Sequence, residues 1–165
     1  MDRASFVARF GGVFEHSPWV AEGAWDAGTV PDDAEGLHAA MVAVLRAAGH
    51  ERKLALLNAH PDLAGRLALR GELTADSTAE QASAGLDRCT PEEFARFTEL
   101  NDAYKARFGF PFILAVKGRS RADILEAFET RLSNGPEEEF ATALAQVERI
   151  TWLRLKDLLP KDILP

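Results

Sequence analysis

The sequence predicts an all-α fold, and three observations carry that expectation. Apolar residues recur at three- and four-residue spacing along most of the 165 residues, the period of a helix face rather than the alternation of a strand. Helix-start signals sit ahead of several of these stretches. Clusters of Gly, Pro and Asp separate them: 28–33 is the strongest break, with weaker ones at 71–76 and 117–120. A length of this order favours one domain, 1–165, with a buried core.

In chain order, Ser17-Pro18 reads as a helix start, with serine able to cap and proline tolerated at the first helical position. Residues 34–48 are alanine-rich and set Leu37, Met41, Val44 and Leu45 on one face. Residues 51–59 continue with Leu54, Leu56 and Leu57. Pro61 disfavours helix at His60 and suits the first position of a new helix over 62–65. Ser77-x-x-Glu80 reads as a capping box with Ser77 at the N-cap. Thr90-Pro91-Glu92-Glu93 combines an N-cap, a first-turn proline and a glutamate at N3, opening a helix towards Phe108. Helices over 120–132 and 136–159 complete the set. The segment 110–116, Phe-Pro-Phe-Ile-Leu-Ala-Val, is the exception: short, apolar and without a strand pattern to pair with. It reads as an extended segment whose backbone groups need partners other than a ladder, a bound ligand being one option.

Composition removes several function classes. Acidic groups outnumber basic ones 26 to 19, a formal charge of −7, which opposes phosphate backbones and disfavours nucleic acid as a partner. The single cysteine, Cys89, can form neither an internal disulfide nor a thiolate metal cluster. His16, His38 and His50 lack ligand spacing, and no zinc, phosphate-loop or nucleophile-elbow motif is present. No apolar run approaches the roughly 18 residues of a membrane helix. The opening residues 1–5 lack a secretory apolar core, and the ending 162–165 is not a peroxisomal Ser-Lys-Leu. A cytoplasmic, bacterial protein acting on small molecules is the expectation, without structural zinc.

Polar residues on apolar faces are the next signal. On the last helix Phe140, Leu144, Val147 and Leu158 define a face, and Arg154 projects within roughly 40° of its centre. A buried guanidinium needs an anion. Two partners stand open: an internal carboxylate, or a ligand carboxylate gripped by two parallel hydrogen bonds. His60, pinned at a helix end, is either structural or the natural acid–base group of a site. Ser77, Glu80, Gln81 and Ala84 share a helical face that serves either as a cap or as the lining of a polar pocket. Asn101 interrupts the stripe Phe94, Phe97, Tyr104, Phe108, where a buried amide calls for an internal hydrogen bond.

Four blocks, in order, carry a family resemblance: 14–22 (Phe-Glu-His-Ser-Pro-Trp-Val-Ala-Glu), 60–65 (His-Pro-Asp-Leu-Ala-Gly), Ser77-x-x-Glu80-Gln81-x-x-Ala84-Gly85-Leu86, and Leu100-Asn101-x-x-Tyr104-x-x-x-Phe108-Gly109-Phe110-Pro111-Phe112. Together they resemble the 2-oxo-4-hydroxy-4-carboxy-5-ureidoimidazoline (OHCU) decarboxylases, which form (S)-allantoin in urate degradation. The resemblance implies a single-domain helical bundle of that type, no cofactor and a homodimer. Position by position it implies His60 as catalytic acid–base and Glu80 as its carboxylate partner. It also implies substrate contacts from Pro61, Ser77, Gln81, the backbone of Phe112, Ile113, Leu114, Ala115 and Val116, and Arg154 on the substrate carboxylate. A non-catalytic helical module that binds a partner protein or a small anion is the alternative.

Overall fold

In a computed structural model, residues 2–28, 30–65 and 73–159 are described. They contain eight α-helices, one 3-10 turn and no strand. The expected all-α class holds. The chain divides into two compact units, one of residues 1–59 and 147–165, the other of 60–146.

The first unit opens with α1 (Arg3–Phe10), which the sequence reading did not anticipate. The Asp2 carboxylate caps it by accepting from the Ser5 N–H, and Phe6 and Phe10, one turn apart, are buried. α2 (Trp19–Asp26) begins one residue later than Ser17-Pro18 suggested. Pro18 is the N-cap, and the Ser17 hydroxyl donates instead to the Glu15 carbonyl, so no side chain caps this helix. α1 packs on α2 and α2 on α3 (Ala34–Ala47). Gly23 makes the second contact possible, because a Cβ there would lie 2.7 Å from Cγ1 of Val44. α4 (His50–Asn58) closes this part of the chain.

The second unit contains α5 (Ala75–Ser83), a 3-10 turn (Leu86–Arg88), α6 (Pro91–Phe108) and α7 (Arg121–Arg131). The Thr90/Glu93 capping box forms as read, and α6 ends at Gly109, whose φ of 81° is the left-handed cap that glycine adopts without strain. α7 carries a second box, Ser120 with Asp123. An aromatic cluster fills the unit. The Tyr104 ring lies 4.7 Å from Phe108 and 5.3 Å from Phe112, and Phe112 stacks on Phe128 at 3.8 Å.

The last helix, α8 (Pro136–Leu158), contributes its first half to the second unit and its second half to the first. Its buried residues are Glu139, Ala143, Val147, Ile150, Thr151, Arg154 and Leu155. The buried face is therefore turned from the expected one: Phe140 and Leu144 are half-buried and Leu158 is exposed. Arg154 is buried as expected. Two further sequence expectations need correction. No helix forms over 61–65, where Ala64 takes φ 52°, a left-handed conformation that ends any helix. The cap of α5 is Thr74, whose hydroxyl accepts from the Ser77 N–H, so Ser77 stands at N3 rather than at the cap. The readings that fell on Gly71 and on the ending 162–165 lie outside the described residues.

Candidate active site

His60 follows the C-cap of α4 and is 9% exposed. It opens a corner, 60–65, that has no regular structure of its own. Side chains from two helices hold that corner. Gln81 of α5 accepts from the Ala64 N–H at 3.0 Å and donates to the Asp62 carbonyl at 3.1 Å. Asn101 of α6 donates to the Leu63 carbonyl at 2.9 Å, which is the internal bond its place in the stripe called for. One turn further along, Lys105 pairs with the Asp62 carboxylate at 2.8 Å. Three consecutive residues after Pro61 are thus fixed by polar side chains, which secures the left-handed Ala64 and the backbone beyond His60.

Ser77 and Gln81 are buried one turn apart on α5, and Glu80, on the same side of the helix, is half-buried. Gln81 shows that this face meets the His60 corner. Its amide keeps a second N–H and a second carbonyl lone pair beyond the two bonds it makes. A cavity of about 530 Å³ borders the same element, lined by Ala64, Thr78, Gln81, Leu86, Cys89 and Phe94 among others. Burial, with the Glu93 charge, pushes the Cys89 thiol up, the wrong direction for a nucleophile.

The segment 111–116 belongs to neither helix nor strand, as expected. Part of its backbone is read by protein side chains. Arg131 Nη1 donates to the Ile113 carbonyl at 2.6 Å, the Ala115 N–H donates to Gln146 at 2.9 Å, and Arg119 Nε donates to the Ala115 carbonyl at 3.1 Å. Arg131 also lies over the Phe112 ring, 4.4 Å from its centroid. Its charge is met by Glu139, which is fully buried. Glu139 accepts from Arg131 Nε at 2.6 Å, from the Tyr104 hydroxyl at 2.5 Å and from Asn134 at 2.9 Å. Burial and this carboxylate push the Tyr104 phenol well above its ordinary range, so Tyr104 stays a donor.

The sequence reading missed this network. Glu139 could have been found, since it lies four, eight and fifteen residues before Ala143, Val147 and Arg154 on the buried face of α8. In the first unit Arg154 pairs with Glu15 at 2.9 Å, and its Nη1 donates to the Val13 carbonyl at 3.1 Å. The internal carboxylate, one of the two partners left open for Arg154, is present as Glu15. Among the described residues no group of three or more His, Cys, Asp or Glu side chains is arranged to hold a metal.

The OHCU decarboxylase family model matches residues 1–156. The chain belongs to the OHCU decarboxylase family. It is 44% identical to the 2-oxo-4-hydroxy-4-carboxy-5-ureidoimidazoline decarboxylase of Halalkalicoccus jeotgali over 98% of this chain and 89% of that protein. With the Haloferax volcanii protein of the same name it shares 43% over 95% of this chain and 90% of that one. Among solved structures, a crystal structure of (S)-allantoin synthase aligns with a TM-score of 0.77 at 34% identity, over 96% of this chain and 51% of that chain. The family shares the fold as well, since a crystal structure of OHCU decarboxylase in the presence of (S)-allantoin aligns with a TM-score of 0.71, over 96% of this chain, at 21% identity.

Proposed function

We propose that this chain, as one domain over 1–165, decarboxylates 2-oxo-4-hydroxy-4-carboxy-5-ureidoimidazoline to (S)-allantoin and carbon dioxide in urate degradation. Membership of the family over nearly the whole chain is the observation that carries this reading over a non-catalytic binding module. His60 acts as the acid–base group and Glu80 as its carboxylate partner. Ser77 and the remaining donor and lone pair of Gln81 bond the ureido and ring groups. Pro61 forms a wall, and the backbone of Phe112, Ile113, Leu114, Ala115 and Val116 meets the ring. Support comes from the corner itself: α5 brings its polar face to the backbone that follows His60.

The chemistry suits these residue types. Cleavage of the bond from C4 to the carboxylate releases carbon dioxide and leaves an electron pair on C4. The adjacent C5=N bond of the substrate accepts that pair, so the electron sink belongs to the substrate and the reaction calls for no cofactor. The nitrogen that receives the pair takes up a proton, the C4 hydroxyl then loses one and C5 gains one, a net uptake of one proton. A histidine and a carboxylate can serve the last two transfers near neutral pH. Protonation from one face sets the S configuration. The apolar side chains of Phe112 and Ile113, both buried, exclude water. A homodimer in the cytoplasm completes the reading; among the described residues no helix is long and apolar enough to cross a membrane.

The test generates the substrate in situ from urate and follows the circular dichroism of allantoin. The (S)-allantoin signal should rise faster with the protein than without it, and equal rates would end the assignment.

A further inference from the structure

Two helices hold the corner after His60 from opposite edges. The Leu63 carbonyl and the Ala64 N–H belong to one peptide group. No cis bond occurs among the described residues, so these two groups point in opposite directions. Gln81 of α5 accepts from the N–H at 3.0 Å, and Asn101 of α6 donates to the carbonyl at 2.9 Å. Four residues further along α6, Lys105 holds the Asp62 carboxylate at 2.8 Å. Asn101 and Lys105, one turn apart, therefore share a face of α6 that meets the corner.

This corner is held against two local penalties. Ala64 keeps a left-handed φ of 52°, a conformation that only the surrounding contacts maintain in a residue with a Cβ. Asn101 is 3% exposed, and among the described residues its Oδ1 meets no hydrogen-bond donor. A buried acceptor left in this way destabilises the fold. An apolar side chain at 101 would bury no such acceptor, so what the amide alone supplies is the grip on Leu63. His60 lies just upstream through a stiff link, because the Pro61 ring fixes its own φ and carries the direction imposed on 62–64 back to His60.

We propose that Asn101 and Lys105 are positioning residues for His60, which set where its imidazole stands by holding the Leu63 carbonyl and the Asp62 carboxylate. The proposal rests on the decarboxylase reading for the reaction that His60 serves, but not for the placement of the ring. Displacing an acid–base group slows proton transfer while the other substrate contacts remain, so such residues act on kcat more than on KM. Lys105 is the cleaner of the two to perturb, because its side chain is 44% exposed and a surface ion pair adds little to stability. Lys105→Met removes the charge, whereas Lys105→Arg keeps it. Asn101→Leu removes the donor at similar volume.

Two measurements on the full chain test this. In the urate-coupled assay Asn101→Leu should lower kcat about tenfold or more with KM within about threefold of the original, and Lys105→Met should lower kcat by roughly threefold to fivefold. Lys105→Arg should stay within about twofold of the original, which rescues the charge without the native side chain. In protein labelled with carbon-13 and nitrogen-15 at histidine, the His60 ring signal is identified by its loss in His60→Ala. It should move in Asn101→Leu and Lys105→Met and hold in Lys105→Arg, while the signal of His38, which belongs to the other unit, stays in place. A His60 signal unmoved by both substitutions overturns the proposal. So does a folded Asn101→Leu or Lys105→Met chain that turns over like the original, a Lys105→Arg chain as slow as Lys105→Met, or a fall in kcat matched by the unfolded fraction seen in circular dichroism. Should Asn101→Leu fail to fold, the two Lys105 variants decide. If the original chain fails to accelerate the decarboxylation while the His60 signal still moves as expected, the activity reading falls and the positioning stands.

Discussion

Substituting Glu139 by glutamine tests the polar network beneath the 111–116 segment. The change keeps shape and removes one charge. Glu139 is fully buried and meets Arg131 through Nε at 2.6 Å and Nη2 at 2.5 Å, with the Arg131 side chain only 9% exposed. Tyr104 can still donate to the glutamine carbonyl, but Asn134 Nδ2 then faces an amide N–H₂ where a carboxylate oxygen accepted it. The dominant cost is an uncompensated guanidinium in the interior, and removing one partner of such a pair costs about 3–5 kcal/mol. For a chain of this length each kcal/mol moves the melting temperature by roughly 2–4 °C, so a fall of roughly 6–20 °C is expected. Urea denaturation at pH 7, read by circular dichroism, gives the free energy directly. The double variant Glu139→Gln with Arg131→Met removes both charges and should recover at least half of the loss, because the stranded charge is gone. A single variant within about 1 kcal/mol of the original, or a double variant worse than the single, would refute the claim that this pair neutralises a buried charge.

Three further outcomes follow from the same structure. Thr74→Ala should destabilise the chain by about 1 kcal/mol in urea denaturation through loss of the α5 cap, whereas Ser77→Ala should not show that capping loss; the reverse order would restore Ser77 as the cap. Ala64→Gly should stabilise by about 0.5–1 kcal/mol, because glycine takes the left-handed φ of 52° without the steric cost; a loss of stability on thermal denaturation would contradict this. The carboxyls of Asp2 and Asp123 are held down by the backbone N–H groups they cap, that of Glu93 by the Thr90 N–H and then Arg121, and that of Asp26 by Arg3. Groups with lowered folded-state values stabilise above their ordinary values of 3.8 and 4.5 and lose that contribution as pH falls through the folded values. The melting temperature should therefore hold from pH 7 to about 5 and decline below about 4.5, and an unchanged value at pH 3 would count against these pairings.

What was legible in the sequence was mostly local. The Thr90/Glu93 box and the apolar stripe of 34–48 specify their own helices, because cap and period lie within a few residues of one another. The corner after His60 misled for the same reason. Pro61 permits a helix locally, but Gln81, Asn101 and Lys105 draw the backbone of 62–64 into another path from 17 to 43 residues away. Ser77 was mistaken for a cap because Thr74 offers the same chemistry three residues earlier. On α8 the helical wheel found Arg154 yet was centred on Phe140 and Leu144, so Glu139, on the face that is actually buried, went unread. Arg131 carried no local signal at all, since its partners are a loop carbonyl and a carboxylate in the following helix. The residue types of His60, Ser77 and Glu80 stood out in sequence through the family blocks, but the clamp that fixes the corner after His60 is tertiary.

In the proposed reaction the chain acts through His60. The most direct measurement compares the original chain with His60→Ala in the urate-coupled assay, reading the circular dichroism of (S)-allantoin. Acceleration by the original chain is expected, with a loss of about 10²–10⁴-fold for His60→Ala, down to the uncatalysed rate if that lies higher, and helix content unchanged. A folded His60→Ala chain that forms (S)-allantoin as fast as the original would contradict it.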